Sequence, residues 1–420
     1  MNNKRLFNIF VIVFIDLLGF GLILPLLPFY ADQYGATPIV VGLLTAVYAA
    51  TQLIGAPLLG RLSDRFGRRP ILLTSIFGTF LGFLIFGVAE PAGEFLAGWL
   101  GSSVNGMIIG VLFFSRALDG FTGGNISVAQ AYITDVTTQE NRARGLGLVG
   151  AAFGLGFIIG PAMGGFLSRY GFAVPALVAA GLSAVNLLMV AFWLPESLSK
   201  EKQKAAAEQK HLGISLGELW KALQRPRVGP ILSISFFYGL AFALFTTIFA
   251  LFAQYRLYLD ATQTGYVLAY VGLLITLVQG FGVGALSKRF PERWIIFVST
   301  VVLSLSLLAW AFTPSLILLL VFLVPLAITS GILNTVLRST LTKSVSEDEV
   351  GGTLGLSASL ESLTRLIAPI LGGFLLGSLG TWAPGVTGAL IMVGVILFTW
   401  QRIILKPDPP FSPHESKAGQ

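Results

Sequence analysis

The chain has 420 residues, of which 55% are hydrophobic and only 11% are charged, with a formal net charge of +7. A soluble chain would carry about 25% charged residues, so the composition excludes a soluble protein and indicates a polytopic membrane protein. The absence of cysteine excludes disulfides, thiolate metal sites and cysteine nucleophiles. The two histidines, His211 and His414, lie in polar segments. The positive charge is explained better by loops that set topology than by nucleic acid.

Twelve segments are long and apolar enough to cross a membrane, which takes about 20 residues. The first is too long for a signal peptide and has no small-residue cleavage site after it, so we expect it to be retained. The semi-polar segment 90–104 is expected to hold a short interfacial helix. In chain order, spans 1 to 12 are predicted at 6–29, 38–59, 70–89, 105–132, 146–168, 174–194, 229–253, 262–284, 294–312, 315–340, 353–377 and 384–403.

The distribution of basic residues predicts the orientation. With both termini in the cytoplasm, 22 of the 27 Lys and Arg residues fall on the inner side and two fall in outer loops. This asymmetry obeys the positive-inside rule. The charged segment 195–228 divides the spans six and six and is interpreted as a cytoplasmic linker. The predicted domains are therefore a bundle at 1–194, the linker, a bundle at 229–404 and a cytoplasmic tail at 405–420.

Two sequence repeats relate the halves. "GRLSDRFGRRP" at 60–70 follows span 2 and returns in degraded form as "GALSKRFPERW" at 284–294, after span 8. "GPAMGGFL" at 160–167 in span 5 returns as "APILGGFL" at 368–375 in span 11. Repeats in the same orientation are related by an axis along the membrane normal. The sequence predicts an all-α membrane protein of two six-helix bundles related by this pseudo-two-fold axis.

These motifs resemble those of the major facilitator superfamily. The loop after span 2 carries that family's signature G-x-L-x-D-R-x-G-R-R at Gly60, Leu62, Asp64, Arg65, Gly67, Arg68 and Arg69. The resemblance implies a conformational latch in which Asp64, Arg68 and Asp135, at the inner end of span 4, form a charge network. The second copy of the loop has Lys288 in place of the acid, so it is expected to be mostly structural.

Three further motifs resemble those of the twelve-helix drug:proton antiporters. They are "DLLGFGLILPLLP" at 16–28, "RALDGFTGG" at 116–124 and "GFIIGPAMGG" at 156–165. "AYITDVT", the nearby "RARG" and Gln52 are most similar to the tetracycline-exporter branch. Exporters of that branch typically carry acids in spans 3 and 9 and a His in span 8, and this sequence has none of these. Tetracycline itself is therefore left open as a substrate.

Charges inside a span cost about 2.5–3.5 kcal/mol each on the insertion scale, so each is expected to have a structural or functional role. Asp16 lies about ten residues into span 1, or ~15 Å from its inner end. Arg116 and Asp119 share one face of span 4 at a similar depth. The resemblance implies that spans 1 and 4 line a central cavity. Burial favours a neutral carboxyl, whereas a nearby guanidinium favours a charged one, and a carboxyl under both influences can bind and release a proton. Asp16 is therefore the first candidate proton carrier and Asp119 the second. The alternative is that these residues form a static ion pair.

Spans 10 and 11 carry the other charges inside the spans. Glu361 and Arg365 have the spacing of an i, i+4 pair, which is expected to be structural. Arg338 lies near the inner end of span 10 and is expected to snorkel to the interface.

Span 5 combines a proline with a face of small residues. Pro161 removes a helix hydrogen bond and kinks the helix, and Gly156, Gly160 and Gly164 allow close packing. The resemblance implies that this segment is a seal against proton leak, and ordinary helix packing is the alternative reading.

The candidates for substrate contact are polar or aromatic residues on the cavity spans, and each has a helix–helix hydrogen bond as its alternative role. They are Gln52, Asn125, Gln130, Tyr238, Gln254 and Asn334. A mostly apolar cavity lined by Phe would suit lipophilic compounds.

The sequence thus predicts a monomeric transporter of the inner (plasma) membrane that exports lipophilic drugs in exchange for protons and needs no cofactor or metal. A facilitator-type carrier of a sugar or organic anion is the first alternative. A membrane enzyme or flippase is the second, but the chain has no nucleotide-binding, zinc or nucleophile-elbow motif.

Overall fold

A computed structural model of the chain describes residues 3–201, 203 and 221–405. Within those residues, twelve helical segments are long and apolar enough to cross a membrane, which confirms the twelve predicted spans. Helices suit a bilayer because each helix satisfies its backbone N–H and C=O groups within its own segment. The spans are Arg5–Gln33, Pro38–Phe66, Arg68–Gly87, Val104–Val136, Gly145–Tyr170, Ala173–Trp193, Val228–Leu257, Ala261–Arg289, Glu292–Ala311, Leu316–Lys343, Glu349–Leu379 and Ala383–Ile404.

Several spans are not single α-helices. Span 1 consists of helices Asn3–Ile23 and Leu27–Gln33, and span 4 of helices Val104–Thr122 and Asn125–Val136. The spans with other irregularities are span 5, from Gln139–Leu167 and the 3₁₀ turn Ser168–Tyr170, span 8, from Ala261–Leu277, the π-turn Val278–Gly282 and Val283–Arg289, and span 12, from Ala383–Thr399 and the π-turn Trp400–Ile404. Span 11 lies within a single α-helix, Glu347–Leu379.

The predicted interfacial segment is a helix at Ala89–Leu100. Its small residues Gly93 and Ala97 are buried, and a side chain at Gly93 would collide with Ile108 at the start of span 4. Its opposite face exposes Phe95 and Trp99. This division of faces is typical of a helix lying at the membrane–water interface.

The chain forms two compact units. Unit 1 comprises Met1–Lys210 and Ala253–Gly272, and unit 2 comprises His211–Phe252 and Leu273–Gln420. The end of span 7 and the start of span 8 therefore belong with the first six spans. The two histidines, most of the predicted linker and all but the first residue of the predicted tail lie outside the described residues.

In unit 1, span 1 packs against spans 5 and 6, span 2 against span 4, and span 3 against spans 4 and 6. The contact of span 1 with span 5 is made by glycines. A methyl group at Gly160 would lie 2.6 Å from the Cα atom of Gly21, and one at Gly164 would overlap the carbonyl oxygen of Leu22. The small-residue face predicted for span 5 is thus a backbone-to-backbone contact with span 1.

A second face of span 5 packs against residues 253–272. The Thr262 hydroxyl donates to the Gly165 carbonyl over 2.7 Å, and a side chain at Gly265 would overlap the Pro161 carbonyl oxygen. One helix thus packs closely on two neighbours in unit 1.

The same segment is also bonded to the end of span 1. The Gln254 side chain donates from Nε2 to Asp32 Oδ2 over 2.8 Å, and the Tyr255 hydroxyl donates to Asp32 Oδ1 over 2.5 Å. Both oxygens of this carboxylate are therefore occupied by donors from span 7.

In unit 2, span 9 packs against spans 10 and 12. Trp310 is fully buried there, with its ring centroid 5.0 Å from that of Phe245 and 4.8 Å from that of Phe252. The Ser304 hydroxyl donates to the Ala389 carbonyl over 3.0 Å. This contact satisfies a hydroxyl that would otherwise be unpaired in an apolar environment.

Candidate functional site

Span 4 is interrupted between Thr122 and Asn125, at two glycines that weaken the helix. The carbonyl groups released by the break find side-chain donors on neighbouring spans. Ser75 donates to the Thr122 carbonyl, and Gln52 donates from Nε2 to the Gly123 carbonyl over 3.0 Å. Irregular backbone inside a membrane is tolerated where it is satisfied in this way, and it often marks a binding site.

A buried ion pair lies one turn before the break. Arg116 donates from Nη2 to Asp119 Oδ2, and each residue is only 3% exposed. The guanidinium also lies 4.9 Å from the ring centroid of Tyr48 and 5.9 Å from that of Phe86. Gly82 makes room for the pair, because a methyl group there would lie 2.8 Å from the Asp119 Cβ atom. Arg116 is thus held by one carboxylate and two aromatic faces.

Asp16 faces the same region from span 1. It is half-buried, its carboxyl interacts with the Asn125 side chain, and the charge of Asp119 acts on it. In the described part of the chain its carboxylate belongs to no ion pair, whereas Arg116 is engaged by Asp119. Of the two candidate proton carriers, Asp16 is therefore the more accessible and the less neutralised.

The predicted charge network after span 2 is assembled in unit 1. Arg68 is buried, its Nη1 lies 2.6 Å from Asp64 Oδ1, and its Nε donates to Asp135 Oδ2 over 3.0 Å. Its Nη1 also donates to the Ser63 hydroxyl over 2.7 Å. Gly67 adopts a φ of 102°, which a residue with a side chain rarely does. The signature thus encodes both the turn and the ion pairs. Of its other members, Arg69 donates to the Ala191 carbonyl, Arg65 is exposed beside Phe66, and Gly60 has open space around it.

Glu196 is a member of this network that the sequence analysis missed. Its Oε1 accepts from the backbone amide of Arg68 over 2.9 Å, and its Oε2 accepts from that of Arg69 over 3.0 Å. A carboxylate at the start of a helix satisfies unpaired N–H groups and the helix dipole. The neighbouring Ser197 hydroxyl donates to Asp135 over 3.0 Å. The chain just after span 6 is therefore tied to the signature loop.

The second copy of the loop carries an ion pair of opposite polarity. Glu292 occupies the place of Arg68, and Lys343 occupies the place of Asp135 when the shared Leu-Gly-Leu segments at 146–148 and 354–356 are superimposed. Lys343 donates from Nζ to Glu292 Oε1 over 2.6 Å. Although Lys288 stands where the first loop has an acid, this loop still makes a charge contact in unit 2.

Reversal of this pair gives a test by charge exchange. We expect K343E to lower the apparent melting temperature of the purified protein, because two carboxylates then face each other. We expect the double variant E292K/K343E to recover most of the loss, since an exposed pair contributes about 0.2–1 kcal/mol. Lys288→Glu, in the same loop, is the control for net charge. A double variant as unstable as the sum of the single variants E292K and K343E would contradict the pairing.

The expected Glu361–Arg365 pair is wrong. Glu361 instead accepts two hydrogen bonds from Arg338 Nη2, at 2.9 Å to Oε1 and 3.0 Å to Oε2, and no ion pair of Arg365 exists among the described residues. Arg338 thus reaches across to span 11 rather than snorkelling to the interface. Glu361 therefore pairs with a residue of the neighbouring helix and not with the residue four positions later on its own helix.

The six candidates for substrate contact are in different surroundings. Gln52 and Asn125 lie at the break in span 4 with Asp16, whereas Gln254 is bonded to Asp32 and Gln130 is exposed one helical turn before Thr134. In unit 2 the buried Tyr238 hydroxyl donates to the Ser330 carbonyl over 2.9 Å, and Asn334 is half-buried. The structure therefore brings two of the six together with the charged residues of spans 1 and 4.

Comparison with known proteins agrees with this architecture. The Major Facilitator Superfamily profile matches residues 9–282 and 231–420. The chain is 32% identical over 411 residues to the tetracycline resistance protein, class C, of Escherichia coli, covering 94% of this chain and 95% of that protein. It is also 32% identical to the mouse (Mus musculus) solute carrier family 22 member 18, covering 90% of each chain.

The fold is similar to that of solved transporters. A bacterial homologue of the human lysosomal transporter Spinster, in an inward-facing, unoccupied conformation, superimposes with a TM-score of 0.72 at 16% identity, covering 98% of this chain and 100% of the other. Sequence profile, relatives and fold agree, and the chain is a multi-pass membrane transporter of the Major Facilitator Superfamily.

Proposed function

We propose that this chain exports small lipophilic or amphipathic compounds in exchange for protons, by alternating access. The observation that carries the proposal is the position of Asp16, a half-buried residue in the middle of span 1 beside the break in span 4, whose carboxyl has no ion pair among the described residues. A carboxyl group in a site of low dielectric binds and releases a proton as its surroundings change. The tetracycline resistance proteins at about 30% identity favour drug export over the carriage of a sugar.

The remaining sites have supporting roles in this proposal. Arg116, held by Asp119, sets the electrostatic environment of Asp16, and Gln52 and Asn125 contact the substrate at the break. The network of Asp64, Arg68 and Asp135 is a conformational latch that must open for the transporter to change state. Gly156, Gly160, Pro161 and Gly164 form a tightly packed seal against proton leak.

The cellular setting follows from the same proposal. We place the chain in the inner or plasma membrane as a monomer. We place both termini in the cytoplasm, because that orientation puts most of its Lys and Arg on the inner side. The proposed partners are a small lipophilic substrate, protons and the lipid bilayer, and neither a cofactor nor nucleic acid is required.

The proposal is tested in inverted vesicles that contain the protein and are acidic inside. Addition of a lipophilic drug, from a panel that includes tetracycline, is expected to trigger proton release when the compound is a substrate. Vesicles without the protein and vesicles treated with an ionophore are the controls. If no compound releases protons from vesicles holding folded protein, the antiport assignment fails and sugars and organic acids become the next candidates.

A further inference from the structure

Unit 2 carries more positive than negative charge within spans 10 and 11. Arg338 on span 10 pairs with Glu361 on span 11, and Arg365 lies four residues after Glu361 on the same helix face. Glu361 is twelve residues from the start of span 11 at Glu349, or ~18 Å along the helix. One guanidinium is therefore paired with the only nearby carboxylate among the described residues, and a second lies on the same helix face without an ion pair there, where charge is expensive.

The two guanidiniums have donors to spare. Arg338 uses only Nη2 in its contacts with Glu361, so the hydrogens on Nε and Nη1 make no bond to any described residue. Its side chain is 54% exposed, against 34% for that of Glu361. Arg365 is also exposed, without an ion pair within the described ranges. Since such groups rarely face hydrocarbon, this face of unit 2 is suited to contact with water, lipid headgroups or an anionic ligand.

The surroundings of the pair are suited to an amphipathic ligand. Ser330, Asn334 and Arg338 follow one another at four-residue intervals along one face of span 10, and their exposure increases in that order from buried to exposed. Tyr238 of span 7 is bonded to the Ser330 carbonyl and lies within electrostatic range of Arg338 and Glu361. The face therefore passes from a buried, aromatic-lined end to an exposed cationic end.

We propose that Arg338 and Arg365 form an anion subsite of unit 2 that binds the carboxylate of an amphipathic substrate. The guanidinium geometry matches a carboxylate, which Arg binds in a bidentate manner. Glu361 orients Arg338 and keeps the empty site from holding two unpaired cations. The inference rests on the proposed function and narrows its substrates to compounds with an apolar body and one anionic group.

The test compares two dyes that differ in one group. Rhodamine B has a free carboxylate, and its ethyl ester has none on the same ring system. Binding of each to the purified full chain is measured by fluorescence anisotropy without a proton gradient. We expect the wild type to prefer rhodamine B. We expect R338Q and R365Q each to weaken its binding roughly tenfold or more, as loss of a charge-assisted hydrogen bond would, and to leave ester binding within about twofold.

Three further variants separate binding from folding. R338K is expected to retain part of the preference, and E361Q is expected to strengthen rhodamine B binding because a competing negative charge is removed. R402Q, at the end of span 12, is the control and should behave as wild type. The proposal is overturned if the wild type does not bind rhodamine B or does not prefer it to the ester, or if the Arg variants weaken both dyes equally.

The result is independent of the antiport assignment. A carboxylate preference in a protein that exchanges no protons would preserve the subsite and refute antiport. Proton-driven export of the ester and the acid at equal affinity would preserve antiport and refute the subsite.

Discussion

Replacing Asp16 by Asn is expected to abolish drug-driven proton release and uphill drug accumulation, while exchange of labelled drug at equal concentrations on both sides continues. Asparagine has almost the same shape as aspartic acid and keeps a hydrogen bond to Asn125, but it cannot carry a proton. Alternating access would therefore proceed without coupling. The measurement combines proton release in acid-loaded inverted vesicles with equilibrium exchange of a radiolabelled substrate in the same preparation.

Two other Asp variants give this experiment its controls. Asp260→Asn changes an exposed acid between spans 7 and 8, so coupling should be retained. Asp119→Asn leaves the buried Arg116 without its partner, which costs about 3–5 kcal/mol, so loss of folded protein is expected there. Full coupling in Asp16→Asn would show that another group carries the proton, and loss of exchange as well would mean that Asp16 acts in binding.

Gly164→Ala is expected to destabilise the protein strongly even though alanine is the better helix former. The added methyl group would overlap the Leu22 carbonyl oxygen on span 1, and relief requires the two helices to move apart. Overpacking of this kind costs about 1–3 kcal/mol or more, whereas the gain in helix propensity is at most about 1 kcal/mol. A lower apparent melting temperature and a higher passive proton leak in proteoliposomes are the expected readings.

The same helix provides a matched substitution. Gly150 has open space where its methyl group would lie, so Gly150→Ala should keep or raise the melting temperature and leave the leak unchanged. The sign of the effect therefore differs between two identical changes on one helix. If both variants behave alike, the close contact between spans 1 and 5 is not what makes glycine necessary at Gly164.

The spans were predictable because each depends on one long apolar run, which is visible directly in the order of residues along the chain. The signature loop was also predictable, since Asp64 and Arg68 lie four residues apart and Asp135 was implied by the resemblance. Contacts that join distant parts of the chain were not. Glu196 reaches the loop from a position 128 residues later in the chain, and no local spacing marks it.

The charges of spans 10 and 11 illustrate the same limit. Sequence spacing favours the pair within one helix, Glu361 with Arg365, because that partner is always nearby. The actual partner, Arg338, is chosen by the packing of two helices, which the sequence does not display. Likewise, nothing in the apolar pattern of span 1 indicated that Asp32 would accept hydrogen bonds from Gln254 and Tyr255.

The membership of residues 253–272 in unit 1 bears on how the chain is made. A nascent chain folds largely in the order of its synthesis, yet unit 1 is not complete when its sixth span has been inserted. Until the end of span 7 emerges, Asp32 lacks its two donors, and until span 8 begins to emerge, the second packed face of span 5 is uncovered. Unit 1 therefore remains incompletely folded in the bilayer, and accessible to membrane chaperones and proteases, until residues 253–272 have been inserted.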